Sequence, residues 1–537
     1  MINGSEESVD VQLFDIEKCF DALWLEECIN DLYDSGLDND KLPLLFMENS
    51  NAKIAVKTSS GLSKRKSIKN IVMQGTVWGS IFCTATMDKL GKLAYANEEL
   101  LYKYKGEVDT PCLGMVDDIL SIQKCSSKAL ESNAVINAFV ESKKLTLSSR
   151  KCKRIHISRK KESNDNCPDL KVHGAAMEDS NQEKYLGDTV NSSGKIRVTI
   201  EERKSKALAI VSEILAILED IPLGKYKMEI GLKLRQAMLL NGVLYNSEAW
   251  HGVTDSDIKL IETIDEYLLR SLVNGHSKAP FEFLYLEAGA VPIRFLISSR
   301  RMIYLQTILK RDDGELIKKI YKAQARNPTP GDFVELLKTD FNKIKESFDE
   351  SAIEHSNTSS YKKFINTKVR MAAFIYLNDL KLTHSKVRDI EYDKLETQSY
   401  LTSPLFSNED VNILFSLRSR LVECKSNFKN RYKEEDILCP FCRIGEDSQQ
   451  HMLVCKEITA RIQSKNICSS QIVYEDIFKD HLKQKGATVL FHQILEIRKQ
   501  LQEADNQLNQ LGPCTTSEVQ SNSSDLLSCI DDYSSGK

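Results

Sequence analysis

The sequence predicts an α+β protein: an antiparallel sheet with helices over residues 8 to about 192, a mainly α-helical stretch behind it, and a small metal-binding knuckle near the C-terminus. Three observations lead there. Short strand-like runs alternate with helical stretches and hairpin signals up to residue 192. Apolar residues then recur at three-to-four spacing from Lys195 to about Ile320. Finally, Cys439, Cys442, His451 and Cys455 fall in a C-x2-C-x8-H-x3-C spacing.

In chain order, Val11 to Ile16 reads as a short strand carrying one acid, Asp15, near its end. Asp21 to Tyr33 reads as a helix. Leu25, Cys28/Ile29 and Leu32 give the apolar period, Asp21 is the candidate N-cap, Glu26 and Glu27 lie in the first turns, and Ser35-Gly36 stops it. Pro111 to Val116 and Ile119 to Ile122 are apolar runs flanking Asp117-Asp118, a strand, tight turn and strand. Adjacent carboxylates repel unless a cation lies between them, and oxygen-rich ligation suits Mg²⁺. Asp is also a common turn residue, so the pair alone leaves both readings open.

A polar loop is expected from Lys160 to Gln182. Helical periodicity follows over Val198–Leu218, Met228–Tyr245, Asp255–Leu272 and Ile293–Leu309. Pro328-Thr329-Pro330-Gly331 marks a break, and residues 332 to 430 read as further amphipathic helices. Val473 to Leu501 reads as helical. The tail from Asp505 onward, rich in Ser, Asn, Asp and Gln, is expected to be disordered.

Within the Cys/His cluster, two cysteines three apart grip one metal from adjacent amides, and a His and Cys four apart fit one turn of helix. Cys₃His is a closed set for structural Zn²⁺, leaving no position open for catalysis. The remaining cysteines show no regular framework.

A chain of 537 residues, 41% hydrophobic and 28% charged, can bury more than one core. It shows no signal peptide or long apolar run, so the expectation is an intracellular protein of nucleus and cytoplasm, not secreted and without membrane partners. The net charge of −4 hides local basic clusters at Lys64-Arg65-Lys66 with Lys69, from Lys143 to Lys161, and at Arg203-Lys204 with Lys206.

Five segments carry a resemblance. Phe14-Asp15-Ile16-Glu17-Lys18-Cys19-Phe20-Asp21, Met73-Gln74-Gly75-Thr76-Val77-Trp78-Gly79-Ser80 and Met115-Val116-Asp117-Asp118 resemble three successive palm motifs of reverse transcriptases. Lys144 to Cys152 resembles the next palm element, and Lys184-Tyr185-Leu186-Gly187 resembles the primer-gripping turn. The order and spacing are closest to non-LTR (LINE-like) retrotransposon polymerases. Leu244-Tyr245-Asn246-Ser247-Glu248-Ala249-Trp250 and Glu287-Ala288-Gly289-Ala290-Val291-Pro292 are similar to the region after the palm.

The resemblance implies an RNA-directed DNA polymerase fragment. Asp15, Asp117 and Asp118 would hold two Mg²⁺ ions for nucleotidyl transfer from a primed 3′-hydroxyl. Phe20 would lie beneath the incoming sugar and exclude a 2′-hydroxyl. Gln74 and Gly75 would open a helix against the template. Lys151 would be a cation near the pyrophosphate, and Tyr185, Leu186 and Gly187 would seat the primer end. The implied partners are an RNA template, a DNA primer and deoxynucleoside triphosphates, with Zn²⁺ in the knuckle. Blander readings stand beside these: Phe20 as a core aromatic, Gln74-Gly75 as an ordinary turn, Lys151 as one cation of a solvated surface.

The implied domains are palm 1–192, helical thumb 193–325, helical linker 326–430, zinc knuckle 431–460, C-terminal helical segment 461–504 and disordered tail 505–537. Only fourteen residues precede Asp15, where the family carries its fingers, so the expectation is an N-terminally truncated enzyme. Met115 stands where the family usually has an aromatic. The alternative is a catalytically dead nucleic-acid-binding remnant using the knuckle and thumb.

Overall fold

A strand with every residue from Val9 to Phe14 buried runs through the middle of the main sheet. The computed structural model describes residues 8–50, 52–68, 72, 75–97, 100–124, 126–158, 169–219, 227–273, 275–463 and 481–510. Two compact units emerge. The first comprises Met1–Leu272, Pro280–His384 and Glu391–Thr402, and the second comprises Val273–Ala279, Ser385–Ile390 and Ser403–Lys537. Among the described residues no helix is long and apolar enough to cross a membrane.

In the first unit, β1 (Ser8–Asp15), β2 (Leu113–Met115), β3 (Asp118–Gln123), β4 (Lys153–Ser158) and β5 (Glu178–Asp179) form a sheet in the order β5-β4-β1-β3-β2. All neighbours are antiparallel except β4 and β5. Alternation along β1 divides its side chains between two cores. Val9, Val11 and Leu13 join Tyr102, Leu120, Ile155 and Ile157 on one face. Phe14 joins Ile119, Phe82, Ile136 and Phe139 on the other, where the helices Val77–Ala96 and Ser126–Ser142 lie. The buried polar residues of β1 find partners across the sheet and from the helix behind it. Gln12 Nε2 donates to the Ala129 carbonyl at 2.8 Å, and the buried Asp10 carboxylate accepts from Arg154 Nη2 at 2.6 Å. This is the α+β palm with an antiparallel sheet that the sequence predicts.

Four local expectations are corrected. Asp21 does not cap the first long helix. Cys19–Ala22 forms a single turn, the chain is extended at Leu23, and the helix starts at Leu25 with Trp24 at its N-cap. That break lets Cys19, Leu23 and Leu25 all turn into the core, which outweighs a polar cap. The stop at Ser35-Gly36 is present, with Gly36 at φ 93°. The segment expected as a polar loop, Lys160 to Gln182, is structured from residue 169. Lys171–Val172 pairs with Ala175–Ala176, because Leu170, Val172 and Met177 are buried.

The helix expected over Met228–Tyr245 ends at Val243 and contains a π-helical segment, Arg235–Leu240, between Lys227–Leu234 and Asn241–Val243. Its first residue, Arg235, is buried against Asp265, with Nε and Nη2 donating at 2.5 and 2.6 Å, and the Tyr285 hydroxyl donates to the same carboxylate. Asp255–Leu272 and Ile293–Leu309 stand as expected, and Arg197–Glu219 covers the Val198–Leu218 expectation. Phe281–Ala288 is a helix that periodicity missed, because it is buried all round and shows no polar face.

The second unit packs Asn408–Arg418 against His481–Gln510. The latter runs past Asp505, where the tail is expected to begin; residues 473–480 and 511–537 lie outside the described residues. Ser407 and Asp410 form a capping box at the start of Asn408–Arg418. Burial pushes the Asp410 carboxyl up. Hydrogen bonds from Lys485 and from the Ser407 backbone more than reverse this and hold it down at about 2. A carboxyl depressed in the folded state stabilises above its unfolded value near 4, and that contribution fades as pH falls toward 2. Acid titration of folding is therefore expected to lose roughly 2 kcal/mol from this residue across that window, and Asp410→Asn should flatten the loss when followed by circular dichroism.

Candidate active site and metal centre

Asp15 is the last residue of β1 and faces Asp118, the first residue of β3, across the ladder. Directly opposed residues of an antiparallel pair point to the same side of the sheet, with Cβ atoms about 5 Å apart. That side is the face of Leu13 and Leu120. Asp117 occupies the second position of the two-residue turn between Met115 and Asp118, which pair with each other. The first position, Val116, has φ 62°, a left-handed conformation that a β-branched residue adopts only under constraint. The strained turn thus places one acid at its tip beside two acids on paired strands. Burial, then the charges of Asp117 and Asp15, raise the Asp118 carboxyl above the usual range, while Lys151 acts the other way. Such a trio calls for positive charge.

Lys151 supplies part of it. The backbone turn in which Lys151 and Cys152 N–H groups donate to the Ser148 carbonyl carries the side chain back to Asp15, where Nζ donates to Oδ1 and Oδ2 at 3.2 and 3.1 Å. Phe20, in the short turn Cys19–Ala22, is half-buried against the helix-side core. Gly75 is exposed at φ 83°, immediately before Thr76, whose hydroxyl accepts from Gly79 N–H to cap Val77–Ala96. Gln74 lies outside the described residues.

Tyr185, Leu186 and Gly187 form the tip of a hairpin between Gln182–Tyr185 and Asp188–Asn191. Leu186 and Gly187 both have positive φ, 48° and 86°, as a two-residue type I′ loop demands. Tyr185 packs on the same core as Leu13 and Leu120. Burial, with Asp118 beside it, pushes its hydroxyl up to about 12. The hairpin therefore sits beside the acids.

Its supports were not legible as such in the sequence. Arg203 Nη2 donates to the Gly187 carbonyl at 2.7 Å and to Asp188 at 2.8 Å, and Asn246 Nδ2 donates to the Leu186 carbonyl. A Cβ on Gly187 would lie 2.8 Å from the Tyr245 ring. Arg203 belongs to a basic cluster, and Tyr245 and Asn246 to a segment similar to the region after the palm, but nothing local says that all three converge on this turn.

In the second unit, the ligand atoms of Cys439, Cys442, His451 and Cys455 all lie within 4.8 Å of one another. Cys439 and Cys455 sulfurs are 4.0 Å apart, and Cys442 Sγ is 3.2 Å from His451 Nε2. Tetrahedral bonds of about 2.3 Å from zinc to sulfur put sulfurs about 3.8 Å apart, so the set fits one metal ion. Backbone N–H groups of Gly445 and Ile444 hold the Cys442 thiol down at about 6. Gly445 is required by close approach, since a Cβ there would stand 2.5 Å from the His451 ring.

Residues 5–190 match the profile of the reverse transcriptase (RNA-dependent DNA polymerase) family. This stretch is a reverse transcriptase domain. Its match ends within the hairpin that Arg203 and Asn246 hold.

Among solved structures, the chain is similar to apo telomerase from Candida tropicalis truncated from its C-terminal domain, at 18% identity and a TM-score of 0.25, covering 35% of each chain. It is also similar to telomerase from Candida tropicalis in complex with a TWJ fragment of telomeric RNA, at 12% identity and a TM-score of 0.31, over 68% of this chain and 50% of that one. For the telomerase from Candida albicans with the same kind of RNA fragment the values are 13% and 0.29, over 67% and 49%. The chain thus spans between about a third and a half of the length of these telomerases. No curated protein matches it.

Behind the reverse transcriptase domain, the segment 244–250 carries two of the hairpin's supports, Tyr245 and Asn246, while the segment 287–292 serves packing. Glu287 is fully buried and accepts from the Tyr392 and Tyr400 hydroxyls, and Gly289 lies against the backbone of Thr397. For the Cys/His centre, metal analysis of the purified chain is expected to find one bound zinc ion. Cys442→Ser should lower the zinc content and destabilise the second unit by several kcal/mol, measured as an earlier thermal transition.

Proposed function

We propose that the chain is the polymerase-bearing part of a non-LTR retrotransposon reverse transcriptase, copying RNA into DNA from a primed 3′-hydroxyl by two-metal nucleotidyl transfer. The observation that carries this reading is the placement of Asp15 opposite Asp118, with Asp117 in the adjoining turn. Three carboxylates with mutually raised charge density fit hard divalent cations such as Mg²⁺, and Asp15, Asp117 and Asp118 would hold them. Ions bound there neutralise charge on the attacking and leaving oxygens.

The chain's own residues do the positioning. The Tyr185–Gly187 hairpin seats the primer terminus beside Asp118. Phe20 supports the sugar of the incoming deoxynucleotide. Gly75, with Gln74, offers backbone to the template, where the absence of a side chain permits close approach. Lys151, released from Asp15, faces the departing pyrophosphate. Positioning and charge neutralisation account for most of such catalysis. The retrotransposon setting draws on the segments after the palm and on the Cys₃His centre, which would hold Zn²⁺ and grip RNA or DNA near the priming site. The primer would be a nicked genomic strand.

A second reading, nucleic-acid binding without catalysis, draws on the Lys151–Asp15 ion pair, which must open before Asp15 can ligate a metal. Primer extension on an RNA template with Mg²⁺ separates the two. Catalysis predicts extension by the wild-type chain and a loss of roughly 10²–10³-fold or more in Asp117→Ala, with RNA affinity retained. Wild-type RNA binding with no extension leaves only the second reading.

A further inference from the structure

The ring of Phe428, buried in the second unit, is surrounded by positive charge. Lys386 Nζ lies 5.0 Å from its centroid, Arg431 Cζ 4.9 Å and Lys278 Nζ 6.0 Å. The His276 ring stands 5.8 Å away, tilted by 40°. These groups come from three separate stretches of chain that the fold brings to one place. Beside them opens a cavity of about 280 Å³ walled by Phe428, His276, Arg431 and the half-exposed Tyr432.

Cations over an aromatic face are attracted to it, yet three around one ring repel one another. The strain is visible at Lys386. Burial, then Lys278 and Arg431, pull its ammonium below the ordinary lysine range. Its Nζ is nonetheless fixed in place by a 2.7 Å bond to the Asn427 carbonyl. Among the described residues, none of Lys278, Lys386 and Arg431 makes an ion pair with an acid, although Glu423 also lines the cavity. By contrast Arg498, on the same wall, is neutralised by Asp447 at 2.7 Å. A fold that gathers three cations and leaves them without an acid is prepared for an anion from outside.

We propose that Lys278, Lys386 and Arg431 around Phe428 form a phosphate-binding site for a backbone phosphate of single-stranded nucleic acid, with the aromatic-walled cavity beside it receiving the adjoining nucleotide. The occupant is a nucleic acid because the wall offers two aromatic rings as well as charge, the pairing that suits a base next to its phosphate. The site is separate from the Cys₃His ligands and uses none of them. It stands apart from the polymerase reading, since its readout is binding and not extension.

The test is fluorescence anisotropy of a labelled oligouridylate on the full zinc-loaded chain, across a salt series. Replacing Lys386 and Arg431 together by Ala should weaken binding roughly tenfold or more, as expected for lost charge-assisted contacts. It should also make the salt dependence shallower by roughly 0.7 per removed contact. Arg431→Lys should restore most of the affinity and the slope. Should the double variant unfold, Arg431→Gln alone, at an exposed side chain, must show the same change in slope. Folded variants with wild-type affinity and wild-type slope would overturn the proposal. So would inorganic phosphate binding lost in the variants while RNA binding stays unchanged, because the ligand would then be free phosphate.

Discussion

Three acids are held together here by residues that carry no charge. Like charges about 5 Å apart, the spacing of Cβ atoms on opposed residues, repel by roughly 3 kcal/mol at an effective dielectric of 20. Val9, Val11 and Leu13, buried on the same side of the sheet as the acids, contribute roughly 2 kcal/mol each. Pairing of β1 on both edges sets the register that brings Asp15 to Asp118. A slip of one residue would exchange the two faces of β1, driving Asp10 and Gln12 into the apolar core of Leu120 and Ile155 and turning Asp15 away from Asp118. The Asp10–Arg154 pair, between β1 and β4, adds a polar lock against that slip. The chemistry of the site thus rests on the apolar alternation of a strand.

The Tyr185–Gly187 hairpin is bound to the helical half by the same kind of dependence. Its two left-handed residues shape the turn, but Arg203, Tyr245 and Asn246 decide where it points. The helices after the palm are therefore part of the site's geometry even though none contributes an acid. The buried Arg235–Asp265–Tyr285 group keeps those helices in register.

Much of this was legible in the sequence, and the reasons differ by element. The Asp117-Asp118 turn was visible because two apolar runs flank it, and the Cys/His cluster because metal ligands must keep their spacing. The amphipathic helices were visible because each has a wet face. Phe281–Ala288 was not, since a helix buried on all sides has no period to read. Asp21 looked like a cap by residue type, but the packing of Leu23 and Leu25 moved the helix start. The residues that hold the hairpin and those that surround Phe428 were hidden for one reason: each set comes from distant segments, and only the folded chain shows that they meet.

The π-helical segment carries a consequence of its own. Each residue added to a helix turns everything after it by about 100°, and a π turn accommodates such an addition without ending the helix. Arg235, at its start, looks inward to Asp265, while Tyr245 and Asn246, just beyond its end, reach the Tyr185–Gly187 hairpin. The widened turn acts as a phase adjuster between these two tasks. Shortening it by one residue would swing Tyr245 and Asn246 off the hairpin and turn the buried Val243 and Leu244 with them.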